Sequence, residues 1–265
     1  MKISDKRHNL AYDDQGSGPA VILLHGYPLC RTMWQPQVKA LSGVGFRVVA
    51  PDLRGFGRSA LPPGPVTMDA YADDVIALMD ELGLGRAVVV GMSMGGYVLF
   101  NLLERYPKRL AGAVFSVTRA AADDAAGKLR RSALAQEVAE GRPQAVVDAF
   151  KEILFAPQTL AAHPDLVARV RGWLEATAPE GLIGGLLAMR DRRDALALLA
   201  SIEVPVLVIG AELDRAVPVE HARAIAAGIP GAHLTILPGV GHMANLEAPD
   251  AFNGLLLEFL TSLWG

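Results

Sequence analysis

The sequence predicts an α/β protein: a mostly parallel sheet with helices on both faces and a helical block inserted in the middle of the chain. Two patterns predict it. Short runs rich in Val, Ile and Leu alternate with segments of helical periodicity, and residues 121–201 interrupt that alternation with helical signals alone. Strand-like runs with little polar alternation are expected where parallel strands are covered on both faces.

In chain order, Val21-Ile22-Leu23-Leu24 and Arg47-Val48-Val49-Ala50 read as strands. Thr67 to Leu82 sets Tyr71, Val75, Leu78 and Leu82 on one helical stripe, with the Thr67 oxygen as N-cap and Gly83 as stop. Ala87-Val88-Val89-Val90 is the next strand, Tyr97 to Tyr106 the next helix, and Gly112 to Val117 a further strand. Ala-rich helical segments then follow, broken at Gly141-Arg142-Pro143, Ala156-Pro157, His163-Pro164 and Ala178-Pro179. Strands resume at Val204 to Ile209 and Leu234-Thr235-Ile236-Leu237.

The bulk properties limit the function. With 265 residues, 51% of them hydrophobic and 20% charged, the chain can bury a sizeable core and is not of disordered composition. A formal net charge of −3 gives no electrostatic case for nucleic acid or an anionic membrane, and Arg190, Arg192 and Arg193 are interleaved with Asp191 and Asp194. The single cysteine, Cys30, cannot form an intrachain disulfide. Met1 to His8 is too polar for the apolar region of a signal peptide, and Val88 to Phe100 is too short to span a bilayer, so the expected address is cytoplasmic.

The most informative motif is Gly91-Met92-Ser93-Met94-Gly95, set between a strand and a helix. This is the context a nucleophile elbow requires: the serine sits at a sharp, strained turn with its oxygen exposed, and the flanking glycines let neighbouring backbone pass. The alternative is a Gly-rich turn that merely packs a strand against a helix. A nucleophilic serine needs a base and a group that orients the base. Asp214 and His242 follow the last two strands in the order Ser, Asp, His, which makes Ser93, Asp214 and His242 the catalytic candidates. Glu212, Asp123 and Asp124 compete for the role of the acid, and His25, His163, His221 and His233 lack the position after the final strand. An oxyanion hole is expected from the backbone N–H groups of Met94 and Tyr27, with His25 bracing the His25-Gly26-Tyr27-Pro28 loop.

Together with Pro51 to Ser59 and Gly241-His242, these segments resemble the α/β-hydrolase superfamily over nearly the whole chain. The resemblance implies an eight-stranded sheet, a helical cap between strands six and seven, and no cofactor or metal. Residues 1–120 and 203–265 would form the core and 121–202 the cap. Asp52 to Ser59 looks like the family's structural turn, so Arg54 is not counted as catalytic. Haloalkane dehalogenases and epoxide hydrolases share the loop but use an aspartate nucleophile. The hydrolases of meta-cleavage products usually have Asn where Met92 stands and Trp where Met243 stands. The closest look is to small carboxylesterases and 3-oxoadipate enol-lactonases, through His242 to Pro249 and through Gly184-Gly185 with Ala188-Met189-Arg190-Asp191.

The expected function is hydrolysis of a small carboxylic ester or lactone through an acyl-enzyme, with no nucleic-acid or membrane partner. Alternatives are cofactor-free perhydrolase (haloperoxidase) activity, with Pro28 fixing a loop carbonyl, C–C bond hydrolysis, or a ligand receptor on the same fold. Most apolar cap residues (Phe150, Ile153, Leu154, Phe155, Leu186) are expected to be core, and Trp173 and Met189 are the candidates for roofing an acyl pocket.

Overall fold

The computed structural model describes residues 2–3 and 10–264. Met1 and residues 4–9, which hold most of the polar N-terminal stretch, lie outside the described residues. Among the described residues, eight strands form one sheet: β1 (Lys2–Ile3), β2 (Ala11–Gln15), β3 (Ala20–Leu24), β4 (Arg47–Pro51), β5 (Ala87–Met92), β6 (Leu110–Ser116), β7 (Val206–Ala211) and β8 (His233–Leu237). Their spatial order is β1-β2-β4-β3-β5-β6-β7-β8. Only the β1/β2 and β2/β4 pairs are antiparallel, so β3 to β8 all point their C-terminal ends at one edge.

Side chains on the central strands alternate strictly between two apolar layers. Ile22, Leu24, Ala87 and Val89 enter the layer beneath helices α2 (Met68–Glu81) and α3 (Met94–Arg105). Val21, Leu23, Val88 and Val90 enter the other, beneath α1 (Gln35–Ser42) and α11 (Pro249–Trp264), where Trp34, Phe252 and Leu256 pack. This two-sided burial is why the strands read as unbroken apolar runs. The remaining helices are α4 (Ala125–Ala139), α5 (Gln144–Phe150), α6 (Pro157–Ala162), α7 (Pro164–Glu175), α8 (Pro179–Arg190), α9 (Glu220–Gly228) and α10 (Ala244–Glu247). Five of these, α4 to α8, lie between β6 and β7. Pro157, Pro164 and Pro179 each open a helix at its first position, where the missing N–H has no intrahelical acceptor to lose.

Several boundaries differ from the sequence reading. The Thr67 oxygen does cap α2, accepting from the Ala70 N–H at 3.0 Å. Helix α3 starts at Met94, directly after Ser93, rather than at Tyr97. Strand β7 starts at Val206, after Pro205, whose carbonyl accepts from the Ala113 N–H at 3.0 Å. Strand β2 carries Asp13 and Asp14, residue types depleted in strands. Both are offset by cations distant in sequence: Asp14 by Lys2 and Arg47, Asp13 by Arg31.

Candidate active site

The sheet order reverses between β3 and β5. The chain runs outward from β3 to β4 and then returns to the other side of β3, which opens a crevice at the C-terminal ends of β3 and β5. The Gly26-Tyr27 loop and Ser93 both stand there.

Ser93 adopts φ 52° and ψ −113°, a left-handed conformation held in place by its surroundings. Its N–H donates to the Ser116 carbonyl at 3.0 Å, and its own carbonyl accepts from the Gly96 N–H at 2.9 Å and the Thr118 hydroxyl at 2.7 Å. Thr118 was not singled out by sequence, because nothing local to it marks a contact 25 residues away. The flanking glycines are steric requirements. A Cβ on Gly91 would lie 2.5 Å from the Gly95 carbonyl oxygen, and one on Gly95 would lie 2.3 Å from that of Leu24. Met94 opens α3, so its N–H lies in the first turn, where no intrahelical acceptor exists.

The loop after β3 is braced from both sides. The Leu53 N–H donates to His25 Nε2 at 2.9 Å, so His25 carries its proton on Nδ1, which donates to the Gly26 carbonyl at 2.9 Å. Burial pushes the His25 imidazole below its ordinary pKa, toward this neutral form. The Tyr27 ring packs edge-on against Phe56, and its hydroxyl donates to the Leu182 carbonyl of α8 at 3.1 Å. The Tyr27–Pro28 peptide is cis, and the Thr177 hydroxyl donates to the Pro28 carbonyl at 3.2 Å.

Asp214 and His242 are both buried, and Asp214 Oδ2 lies 2.7 Å from His242 Nδ1. The other oxygen, Oδ1, accepts from the N–H groups of Ala216 at 2.8 Å and Val217 at 2.9 Å. The competing acids are engaged elsewhere. Glu212 accepts from the Gly239 N–H at 2.8 Å, Asp124 caps α4 by accepting from the Gly127 N–H at 2.6 Å, and Asp123 pairs with arginines. Arg54 is bound by the buried Asp74 carboxylate. The His242 loop is anchored by Glu247, which sequence reading noted only as part of a tail motif. Its Oε1 accepts from the Gly241 N–H at 3.0 Å, and its Oε2 accepts from the Ala156 N–H at 2.9 Å and the Thr159 hydroxyl at 2.6 Å.

A cavity of about 250 Å³ is lined by Tyr27, Ser93 and His242 on the sheet side and by Phe150, Ile153, Leu186 and Met189 on the helical side. Met189 therefore stands where a pocket residue would. Trp173 does not line this cavity, which corrects the expectation. Helix α7 turns its buried residues, Val170 and Leu174, into the apolar layer shared with α11, and Trp173 lies half-buried beside them with the Arg169 guanidinium over its ring. Among the described residues, no group of three or more His, Cys, Asp or Glu is placed to hold a metal, and no helix is long and apolar enough to cross a membrane.

The chain is similar to an esterase from Thermogutta terrifontis solved with malate bound, at 36% identity and TM-score 0.95 over 100% of this chain and 99% of that one. It is similar to the enol-lactonase of Burkholderia xenovorans LB400 at 31% identity and TM-score 0.88, over 95% and 96% of the two chains. A bifunctional esterase/perhydrolase of Acinetobacter calcoaceticus is 30% identical over 96% of each chain. Relatives so named support a hydrolase. Residues 19–249 match the family model described as the alpha/beta hydrolase fold, and with the sheet order found here the chain belongs to that family.

Proposed function

We propose that the protein is a serine hydrolase of small carboxylic esters or lactones. Ser93 Oγ attacks the carbonyl carbon while His242 Nε2 takes its proton. The Met94 and Tyr27 N–H groups donate to the oxyanion. The C–O bond to the leaving group then breaks, the leaving oxygen takes the proton from His242, and water releases the acyl group by the same route. Asp214 keeps the His242 proton on Nδ1 and steadies the imidazolium. Residues 121–202 act as the cap that shapes the acyl pocket, with Met189 on its wall.

The single observation that carries this reading is the buried 2.7 Å contact between Asp214 Oδ2 and His242 Nδ1, in a site whose cavity also exposes a left-handed Ser93. The esterase and enol-lactonase relatives support esters and lactones over C–C bond substrates. The test is hydrolysis of 4-nitrophenyl acetate and butanoate together with labelling by a fluorophosphonate. Ser93→Ala should abolish labelling and lower kcat by about 10⁴-fold or more. A folded Ser93→Ala that keeps its activity would overturn the assignment.

A further inference from the structure

The cavity that holds Ser93 and His242 has a cationic wall. Arg119, Arg130 and Arg131 line it, and among the described residues Asp123 is the only acidic side chain that does. Arg119, Arg131 and Arg192 converge on the Asp123 carboxylate, which is fully buried. Burial opposes ionisation of Asp123, and Arg131, Arg192 and Arg119 outweigh it, holding the carboxyl below its ordinary range. One negative charge thus faces three guanidiniums, and the exposed Arg130 adds a fourth at the rim.

Hydrogen-bonding capacity is out of balance in the same sense. Arg192 spends both terminal nitrogens within the fold: its Nη1 donates to the Met189 carbonyl at 2.7 Å and its Nη2 to that of Ala121 at 2.8 Å, with the Tyr97 ring beneath it, while its buried Nε has no acceptor among the described residues. Arg131, which lines the cavity, spends fewer. Its Nε goes to Asp123, but among the described residues its Nη1 meets only the Met189 thioether at 3.4 Å, a weak acceptor. Arg119 Nε is buried with no acceptor among the described residues. A surplus of positive charge and of donors at a half-enclosed site is what an anionic ligand group would complete.

Resting on the ester-hydrolase reading above, we infer that the substrate carries a second, ionised carboxylate, held by Arg131 and Arg119 while its ester or lactone carbonyl lies at Ser93. Asp123 is then a positioning residue that fixes the arginine forks. A diester, lacking the ionised carboxylate, would leave the donors unpaired and be discriminated against.

The experiment compares the monomethyl and dimethyl esters of succinic, glutaric and adipic acids in a pH-stat at low and high salt. The wild type should prefer the best monoester over its diester by at least tenfold in kcat/KM, with the preference shrinking as salt rises. Arg131→Gln should lower that monoester-to-diester ratio by at least tenfold, and Arg131→Lys by less. As a readout independent of turnover, succinate, glutarate or adipate should raise the melting temperature of the wild type and of Ser93→Ala, but not that of Arg131→Gln. An equal or higher rate on the diesters, or a ratio unchanged in Arg131→Gln, would overturn the inference and leave the esterase reading intact. Stabilisation by dicarboxylates that depends on Arg131, with no turnover of any ester, would instead overturn the esterase reading and retain the anion site.

Discussion

Asp214→Asn tests the proposed triad more sharply than any truncation, because the structure fixes which way the new amide must face. Asp214 Oδ1 accepts from two backbone N–H groups, those of Ala216 and Val217, while Oδ2 meets His242 Nδ1. In one orientation the Asn carbonyl keeps both backbone bonds and turns its NH₂ toward Nδ1. Nδ1 must then accept, the histidine proton moves to Nε2, and the base can no longer take a proton from Ser93. The flipped amide restores the competent tautomer but turns its NH₂ onto two backbone donors. Leaving those unsatisfied costs about 1–3 kcal/mol each, or about 2–6 kcal/mol together. The competent form is then populated at roughly one part in 30 to one part in 2.5 × 10⁴, and loss of the charge opposite the imidazolium adds to the deficit. Hydrolysis of 4-nitrophenyl acetate should accordingly fall about 10³- to 10⁴-fold in kcat, with the fold preserved because the backbone bonds survive. Asp123→Asn and Asp124→Asn should lose far less. An Asp214→Asn enzyme within tenfold of wild type, alongside a crippled Asp123→Asn, would refute the reasoning and move the acid to the loop after β6.

Glu247→Ala removes the acceptor of three donors and should destabilise by about 3–9 kcal/mol, lowering the melting temperature by about 5–16 °C and kcat with it; an unchanged melting curve would dismiss the anchor. Met189→Ala should shift acyl chain-length preference, measured across 4-nitrophenyl esters from C2 to C8, whereas Trp173→Ala should leave it unchanged, since only Met189 lines the cavity. His25 is buried in its neutral form with its pKa lowered, so in acid the unfolded chain binds a proton that the folded chain refuses. Its contribution to stability is complete above about pH 6.5 and declines as pH falls below that, which urea unfolding at pH 7.5 and 5.5 should register as a lower midpoint in acid.

What sequence could convey follows from how far each constraint reaches. The elbow was legible because its demands are local: a strand, a serine and glycines at 91 and 95 whose absent Cβ atoms make room for nearby backbone. The places of Asp214 and His242 were legible from chain order, but their contact was not. It spans 28 residues and is set by the pairing of Ala211 with Leu237 at the ends of β7 and β8. Strand β2 escaped notice because its aspartates are neutralised by Lys2, Arg31 and Arg47. Asp123 drew attention only as a rival acid, since the arginines that claim it come from positions 119, 131 and 192. Trp173 was misplaced because helical periodicity names a buried face without saying whether a cavity or a core lies under it.

The helices between β6 and β7 are tied to the loops that carry the proposed chemistry. The Met243 N–H, beside His242, donates to the Leu154 carbonyl at 2.9 Å, and Glu247 binds Ala156 and Thr159 while holding Gly241. On the other side, the Thr177 hydroxyl binds the Pro28 carbonyl, and the Tyr27 hydroxyl binds that of Leu182. The His242 loop, proposed to carry the base, and the Gly26-Tyr27 loop, proposed to carry an oxyanion donor, therefore each take part of their position from the insertion. The proposed nucleophile does not: Ser93 is held by Ser116 and Thr118, both carried by β6 and its end. Catalysis requires the serine, the base and the oxyanion donors to be registered to a fraction of an ångström. A shift of α6 or α8 would move the base and the donors relative to a fixed serine, so changes in this insertion should alter turnover together with selectivity. A cap that merely covered the site would affect selectivity alone.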